Sequence, residues 1–161
     1  MSKTSFTLRL FTLADANSLA EYANNYNIAK NLTNAFPHPY TKDDAVKFIR
    51  MVMQHNPVQV FTIDINGRAS GGIGLFPQAD IMCKNAEMGY WLAEPFWGKG
   101  IITAAIRQMV EYGFKTWDIT RIYARPFGSN IASQKVLEKA GFILEVRFER
   151  TIFKNGVFED E

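Results

Sequence analysis

Phe6, Leu8 and Leu10 alternate with polar residues, which predicts a first strand over 6–10. Thr12 with Asp15 three residues on has the form of a capping box, and the helix it opens runs through Leu19 and Ala20 to about Tyr22. Asn24, Asn25 and Asn27 break that period. A short helical piece over 28–32 follows, and Pro37 and Pro39 bar regular structure beyond it. Thr41 and Asp44 repeat the start signal. Ala45, Phe48, Ile49, Val52 and Met53 then trace one helical face, which Pro57 closes. Residues 58–65 predict a strand, Asn66-Gly67 a hairpin turn, and 69–76 the return strand. Gly71, Gly72 and Gly74 in that return strand point to close approach of other groups.

The second half begins with a loop over 77–85 and a short strand over 87–92. A turn at Glu94-Pro95 leads into Phe96-Trp97-Gly98-Lys99-Gly100. From Ile101 the period is helical: Ile102, Ala105, Ile106, Met109, Val110, Gly113 and Phe114 share a face over about four turns. Residues 121–125 predict a short strand, and Asn130 opens a helix that ends at Gly141. Residues 142–152 alternate as a long strand, and Asn155-Gly156 announces a second hairpin turn. The return strand begins at Val157 and is either very short or continues past Glu161. Without a repeat, a low-complexity tract or a linker, the expectation is one domain over 1–161. Its class is α/β, with antiparallel pairs and a parallel pair across the helix between Leu92 and Arg121.

Composition changes this picture little. The chain has 161 residues, 47% hydrophobic and 21% charged, the balance of a globular protein able to bury a core. A single cysteine, Cys83, excludes an intrachain disulfide and suits a reducing, cytoplasmic setting. The N-terminal MSKTSFTLRLF lacks a signal-peptide run, and no stretch nears the ~18 apolar residues of a membrane helix. A net charge of +2 is too small to imply a nucleic-acid partner, though it leaves room for a local anion pocket.

Two segments suggest chemistry. In Trp97-Gly98-Lys99-Gly100 the two glycines permit unusual backbone angles between a strand and a long helix. The amides of this turn and of Ile101, Ile102 and Thr103 can converge at the positive helix end, which suits a phosphate or diphosphate, with Lys99 at the rim. A tight turn with no ligand reads the same four residues equally well. It is neither a nucleotide P-loop nor a full dinucleotide fingerprint, because the third glycine position falls at Thr103. In NIASQKVLEKAGF, Asn130 can cap the helix, Ser133 lies in its first turn, and Gly141 with Phe142 can end it, so capping alone accounts for most of the pattern.

The order of elements, with YWLAEPFWGKGIITAAI and NIASQKVLEKAGF, resembles the GCN5-related N-acetyltransferase (GNAT) family over nearly the whole chain. Within it the chain is most similar to the branch of ribosomal-protein alanine N-acetyltransferases. The resemblance implies an acyl-CoA N-acyltransferase fold, a central mixed and splayed sheet flanked by helices. It implies acetyl-CoA as co-substrate, its diphosphate on the turn of Trp97, Gly98, Lys99, Gly100, Ile101 and Ile102, and its pantetheine arm along the splayed strand. Asn130 matches a cofactor-arm contact and Ser133 a small position near the thiol. Pro95 stands where the family usually has Gln or Arg, and it supplies neither a side-chain bond nor an amide. Leu137 stands where many members have a tyrosine proton donor.

Acetyl transfer to an amine needs a base for the ammonium proton, support for the developing oxyanion and a proton for the thiolate. Glu87, at the start of the strand before the glycine turn, is the candidate base. It shares a strand face with Gly89 and Trp91, while Met88, Tyr90 and Leu92 share the other. Ser133 is the candidate near the sulfur, with Tyr90 and Tyr123 as less favoured donors that core packing also explains. His38 and His55 are not paired at ligand spacing and Cys83 stands alone, so no metal site is expected. Phe36, Tyr40, Phe76 and Trp97 are candidate acceptor walls, and His38 is a candidate on their loop. The acceptor is expected to be a primary amine, tilted by the branch toward a protein or peptide N-terminus, with polyamines and amino sugars as alternatives. Competing readings are a non-enzymatic acyl-CoA-binding module and an RNA-binding protein. The chain is expected to act as a monomer or homodimer, without metal or membrane.

Overall fold

The computed structural model describes residues 4–161, so the first residues of the N-terminal segment read above lie outside it. Strand β1 (Thr7–Arg9) leads to a 3-10 turn at Leu13–Asp15, α1 (Ala16–Ala23) and the short α2 (Tyr26–Ala29). Then come α3 (Lys42–Val52), β2 (Val60–Ile65), β3 (Arg68–Pro77) and β4 (Asn85–Leu92). The long helix α4 (Ile101–Thr116), β5 (Arg121–Tyr123), α5 (Ile131–Ala140) and a terminal hairpin of β6 (Ile152–Lys154) and β7 (Val157–Glu159) complete the chain.

The first five strands form one sheet in sequence order, antiparallel except for β4 and β5. That exception follows from the α4 crossover, since parallel neighbours need a long connection. The sheet is covered on both faces. Ile101, Ala105, Ile106 and Met109 of α4 and Leu137 of α5 pack on Ile63, Ile73, Leu75, Met88 and Leu92. On the other face Leu19 and Ala23 of α1 and Ala45, Ile49 and Val52 of α3 pack over Val60 and Ala69, with Trp91 against them. Alternation along each strand sorts side chains between these two layers.

Two local devices set the geometry. Gly113 lets α4 lie close to the sheet: a Cβ there would stand 2.5 Å from Cδ1 of the fully buried Leu75. Arg9 holds the other end, donating to Asp64 at 2.6 Å and to both carboxylate oxygens of Asp15 at 2.8 Å. It thereby ties β1 to β2 and to the turn that enters α1. Burial pushes the Asp15 carboxyl up, but bonds from Arg9 and the Thr12 amide outweigh it and hold the group below its ordinary value.

The alternating stretch 142–152 is not the long strand its pattern predicts. No strand forms before Ile152, and Ile143, Leu144 and Val146 are exposed. Ladder hydrogen bonds come from a second segment, and a period of two supplies none by itself. The segment meets β5 through the Arg121–Glu145 ion pair; before Ile152 its backbone bonds are Phe142 to the Leu137 carbonyl and a two-way pair between Phe148 and Glu161. The return strand is present and short, and the first strand, the 28–32 helical piece and the 58–65 strand each shift by one to three residues from the predicted limits.

Gly113→Val is expected to lower stability by about 2 kcal/mol, because overpacking against Leu75 exceeds what removal of a helical glycine returns; thermal unfolding measures it. A depressed folded-state carboxyl stabilises above its unfolded value and loses that contribution as pH falls through the folded one. Asp15→Asn is therefore expected to be less stable than the wild type at pH 7, with the gap closing toward pH 2 in urea titrations.

Candidate active site

Gly98 and Gly100 both adopt left-handed backbone angles, φ 71° and 74°, which explains glycine at each. Nothing lies within 4 Å of where a Cβ would project, so packing does not demand them. Their effect is on the backbone. Among the described residues no amide from Gly98 to Thr103 donates to a protein acceptor; the first helical bond here runs from the Ala104 amide to the Gly100 carbonyl. The first amides of any helix are orphaned, and the two left-handed residues extend that row into the preceding turn. The Trp97 amide is spent on the Glu94 carbonyl, and its indole donates to the Leu92 carbonyl at 2.7 Å. Trp97 thus pins the turn to the end of β4, at the far end of the strand from Glu87. The Lys99 ammonium sits over the Phe96 ring at 5.3 Å and is exposed.

β4 and β5 pair at Asn85–Arg121, Ala86–Ile122 and Glu87–Tyr123, and then part. β4 continues to Leu92 with a strand partner on the β3 side alone. The open edge from Met88 to Leu92 leads from Glu87 to the glycine turn. Glu87 marks the point of divergence, half-buried, with the Tyr123 hydroxyl 3.5 Å from its carboxylate. Burial, then the Glu87 charge, pushes the Tyr123 hydroxyl above its ordinary value. Phe76 lies opposite Glu87 on β3 and is partly exposed; Gly74 and Gly89 leave room for its ring, which a Cβ would meet at 2.9 and 3.5 Å.

On the opposite face α5 begins beside the same gap. The Asn130 side chain accepts from the Ser133 amide at 3.2 Å, the capping role its sequence position allows. The Ser133 hydroxyl lies 2.6 Å from the Tyr90 hydroxyl. Leu137 is buried in the core and cannot donate. The sequence offers Tyr90 as a less favoured donor that core packing also explains. The signal for more was present: alternation puts it on the face opposite Glu87, the face that α5 covers.

Glu94, which opens the turn before Trp97, accepts from Asn25 at 2.6 Å and from Asn27 at 3.3 Å. With Tyr22 against Phe96 at 5.9 Å, this clasp joins the α1–α2 turn to the glycine turn. Sequence patterning gave Glu94 no role, because the contact spans about seventy positions. A cavity of about 350 Å³ lies between α2, the loop after β5 and the terminal hairpin, lined by Tyr26, Lys30, Asn31, Ser129, Lys154 and Glu159 among others. Lys154 donates to the Ala29 and Leu32 carbonyls and Ser129 to Glu159, so hairpin, α2 and loop are joined around it. Phe36 packs on Tyr40 and Trp91, and buried Tyr40 has its hydroxyl pushed up to about 12 by burial and the nearby Asp44 charge. Tyr40 is a core side chain, and Phe36, partly buried, packs against that core. His38 and Cys83 are exposed, with His38 beside Tyr26.

The comparisons with known proteins agree with this frame. Residues 5–143 match the model of the acetyltransferase (GNAT) domain. The probable N-acetyltransferase YjcK of Bacillus subtilis is 38% identical over 101 residues, which is 63% of this chain and 55% of that protein. The ribosomal-protein-serine acetyltransferase of Escherichia coli is 30% identical over 89 residues, 55% of this chain and 50% of that one. The chain spans about half the length of these curated relatives. Among solved structures, the microcin C7 self-immunity acetyltransferase MccE, in complex with acetyl-CoA and AMP, aligns with a TM-score of 0.83 at 29% identity, covering 96% of this chain and 88% of that one. The helix-capped row of open amides, the parted parallel strands and the family match over residues 5–143 lead to one assignment: the chain belongs to the GNAT acetyltransferase family.

Proposed function

We propose that this chain is an acetyl-CoA-dependent N-acetyltransferase that acts on a primary amine, a protein or peptide N-terminus, by direct attack with both substrates bound. The observation that carries it is the row of acceptor-free amides from Gly98 to Thr103 at one end of the open β4 edge, with Glu87 at the other. Those amides suit the diphosphate of acetyl-CoA, with Lys99 as a mobile counter-charge and the Asn130 amide nitrogen, without a protein acceptor among the described residues, turned to the cofactor arm. The edge between them spans five residues, about 17 Å at ~3.3 Å per residue, a length that suits an extended pantetheine.

Acetyl-CoA supplies an activated acyl thioester. Glu87 takes the proton of the incoming ammonium, directly or through water, so that the nucleophile is neutral. Backbone amides on the open edge between Met88 and Tyr90 donate to the developing oxyanion. Ser133 lies beside the departing sulfur. The amine reaches Glu87 from the α1–α3 face, where Phe76 is exposed. The cavity between α2 and the hairpin accommodates the chain behind the amine. The name of the ribosomal-protein-serine acetyltransferase supports a protein acceptor, and a ribosomal-protein acceptor would set the enzyme in the cytoplasm.

Acetyl-CoA consumption against peptides with free N-termini, a polyamine and an aminoglycoside, with products identified by mass, tests the reading. Acetylated peptide is the expected product; acetylation of the small amines alone would overturn the peptide assignment, and no CoA binding would overturn the whole reading. Glu87→Gln is expected to cut turnover near neutral pH by about a hundredfold while CoA binding survives, and unchanged turnover across pH would remove Glu87 as base. Gly100→Ala is expected to cost about 1–2 kcal/mol in thermal unfolding, from its left-handed backbone alone, yet to weaken CoA binding by more than about a thousandfold, about 4 kcal/mol. Equal losses in the two measurements would mark the turn as purely structural.

A further inference from the structure

Tyr90 lies three residues beyond Glu87, on the part of β4 that has no β5 partner. Its hydroxyl crosses to the first turn of α5, 2.6 Å from Ser133 Oγ and 3.4 Å from the Ser133 carbonyl. Sheet and helix are thus joined by one hydroxyl pair beside the gap. The Ser133 backbone is fixed independently, through its amide to Asn130.

The phenol has one proton and two nearby oxygens. The 2.6 Å contact admits either hydroxyl as donor, and the phenol, with the more acidic O–H, is assigned as donor to Ser133 Oγ. Ser133 then has its own O–H left, and among the described residues that proton meets no other protein acceptor. Burial raises the Tyr90 phenol above its ordinary value, against a smaller opposing effect of the Ser133 bond, so it stays protonated at neutral pH.

We infer that Tyr90 is a positioning residue for thiol departure: by donating to Ser133 Oγ it turns the Ser133 O–H toward the CoA sulfur. This rests on the transferase reading above, which brings the sulfur to this part of the β4 edge. The hydroxyl pair acts as one unit and forms no bond to the acyl group. As the C–S bond breaks, sulfur keeps the electron pair and Ser133 donates a hydrogen bond to it. The proton that completes the thiol is the one the amine nitrogen loses on becoming an amide. A hydroxyl held by a second hydroxyl is polarised and already oriented, which favours the charged sulfur over the neutral one.

The test needs no acceptor. Bound CoA is titrated by the ultraviolet absorbance of its thiolate, as a difference from unliganded protein, in the wild type, Tyr90→Phe, Ser133→Ala, the double variant and Ser133→Thr. Tyr90→Phe keeps the ring, and thermal unfolding checks each fold. Relative to the wild type, thiolate formation is expected to be about tenfold less favourable in Tyr90→Phe and in Ser133→Ala, a shift of about one pH unit. The double variant is expected to match Ser133→Ala, because Tyr90 acts through Ser133, and Ser133→Thr is expected to keep the wild-type titration. With an acetylated amine in hand, Tyr90→Phe lowers kcat and leaves the KM for acetyl-CoA unchanged. A wild-type thiolate titration in Tyr90→Phe, or shifts that add in the double variant, would overturn the inference while leaving the transferase reading intact. Absence of CoA binding to the wild-type protein would instead remove the reading on which it rests.

Discussion

Everything at the site depends on where two neighbouring strands stop pairing. β4 and β5 share three ladder positions and separate after Glu87 and Tyr123. A parallel pair joined by a long helix carries no turn to hold its strands together at the far end, so the ladder can end early while the rest of the sheet stays closed. The separation exposes main-chain donors and acceptors along β4, and exposed main chain needs a partner. A linear, amide-bearing molecule laid along that edge satisfies it as an added strand would. Glu87 stands at this divergence, and Tyr90, three residues beyond it, meets Ser133 of α5 across the adjoining face.

Much of this was legible in the order of residues. The capping boxes at Thr12 and Thr41 start helical turns where expected, and Asn66-Gly67 turns the β2–β3 hairpin with both residues in the left-handed region. The glycine turn was legible too, because its features are local: two left-handed residues followed by a helix. What was not legible is contact between distant segments. Residues 142–152 have the alternation of a strand, but the partner that would make them one cannot be read from their own pattern. Tyr90 and Glu94 show the same limit from the functional side. Each has an ordinary identity in its own segment, and each takes its meaning from a residue at least forty positions away.

Capping and ligand binding are often weighed as rival explanations for the same polar residues, and Asn130 shows that they need not compete. Its carbonyl oxygen accepts from the Ser133 amide, while its amide nitrogen makes no protein bond among the described residues. The cap orients the side chain, and an oriented side chain presents its other end in a fixed direction. The glycine turn works likewise: the orphaned amides that every helix start must satisfy become a binding surface once Gly98 and Gly100 bring two further amides into line with them.

The clasp between Glu94 and the asparagines of the α1–α2 turn has a kinematic consequence. One carboxylate spans the two edges of the molecule that enclose the gap, and it sits at the first residue of the turn that bends toward the glycines. A swing of the α1–α2 turn away from the sheet must therefore either release Glu94 or drag the start of the glycine turn with it. The placement of the α1–α2 turn and that of the first residue of the glycine turn are thus linked through one exposed carboxylate.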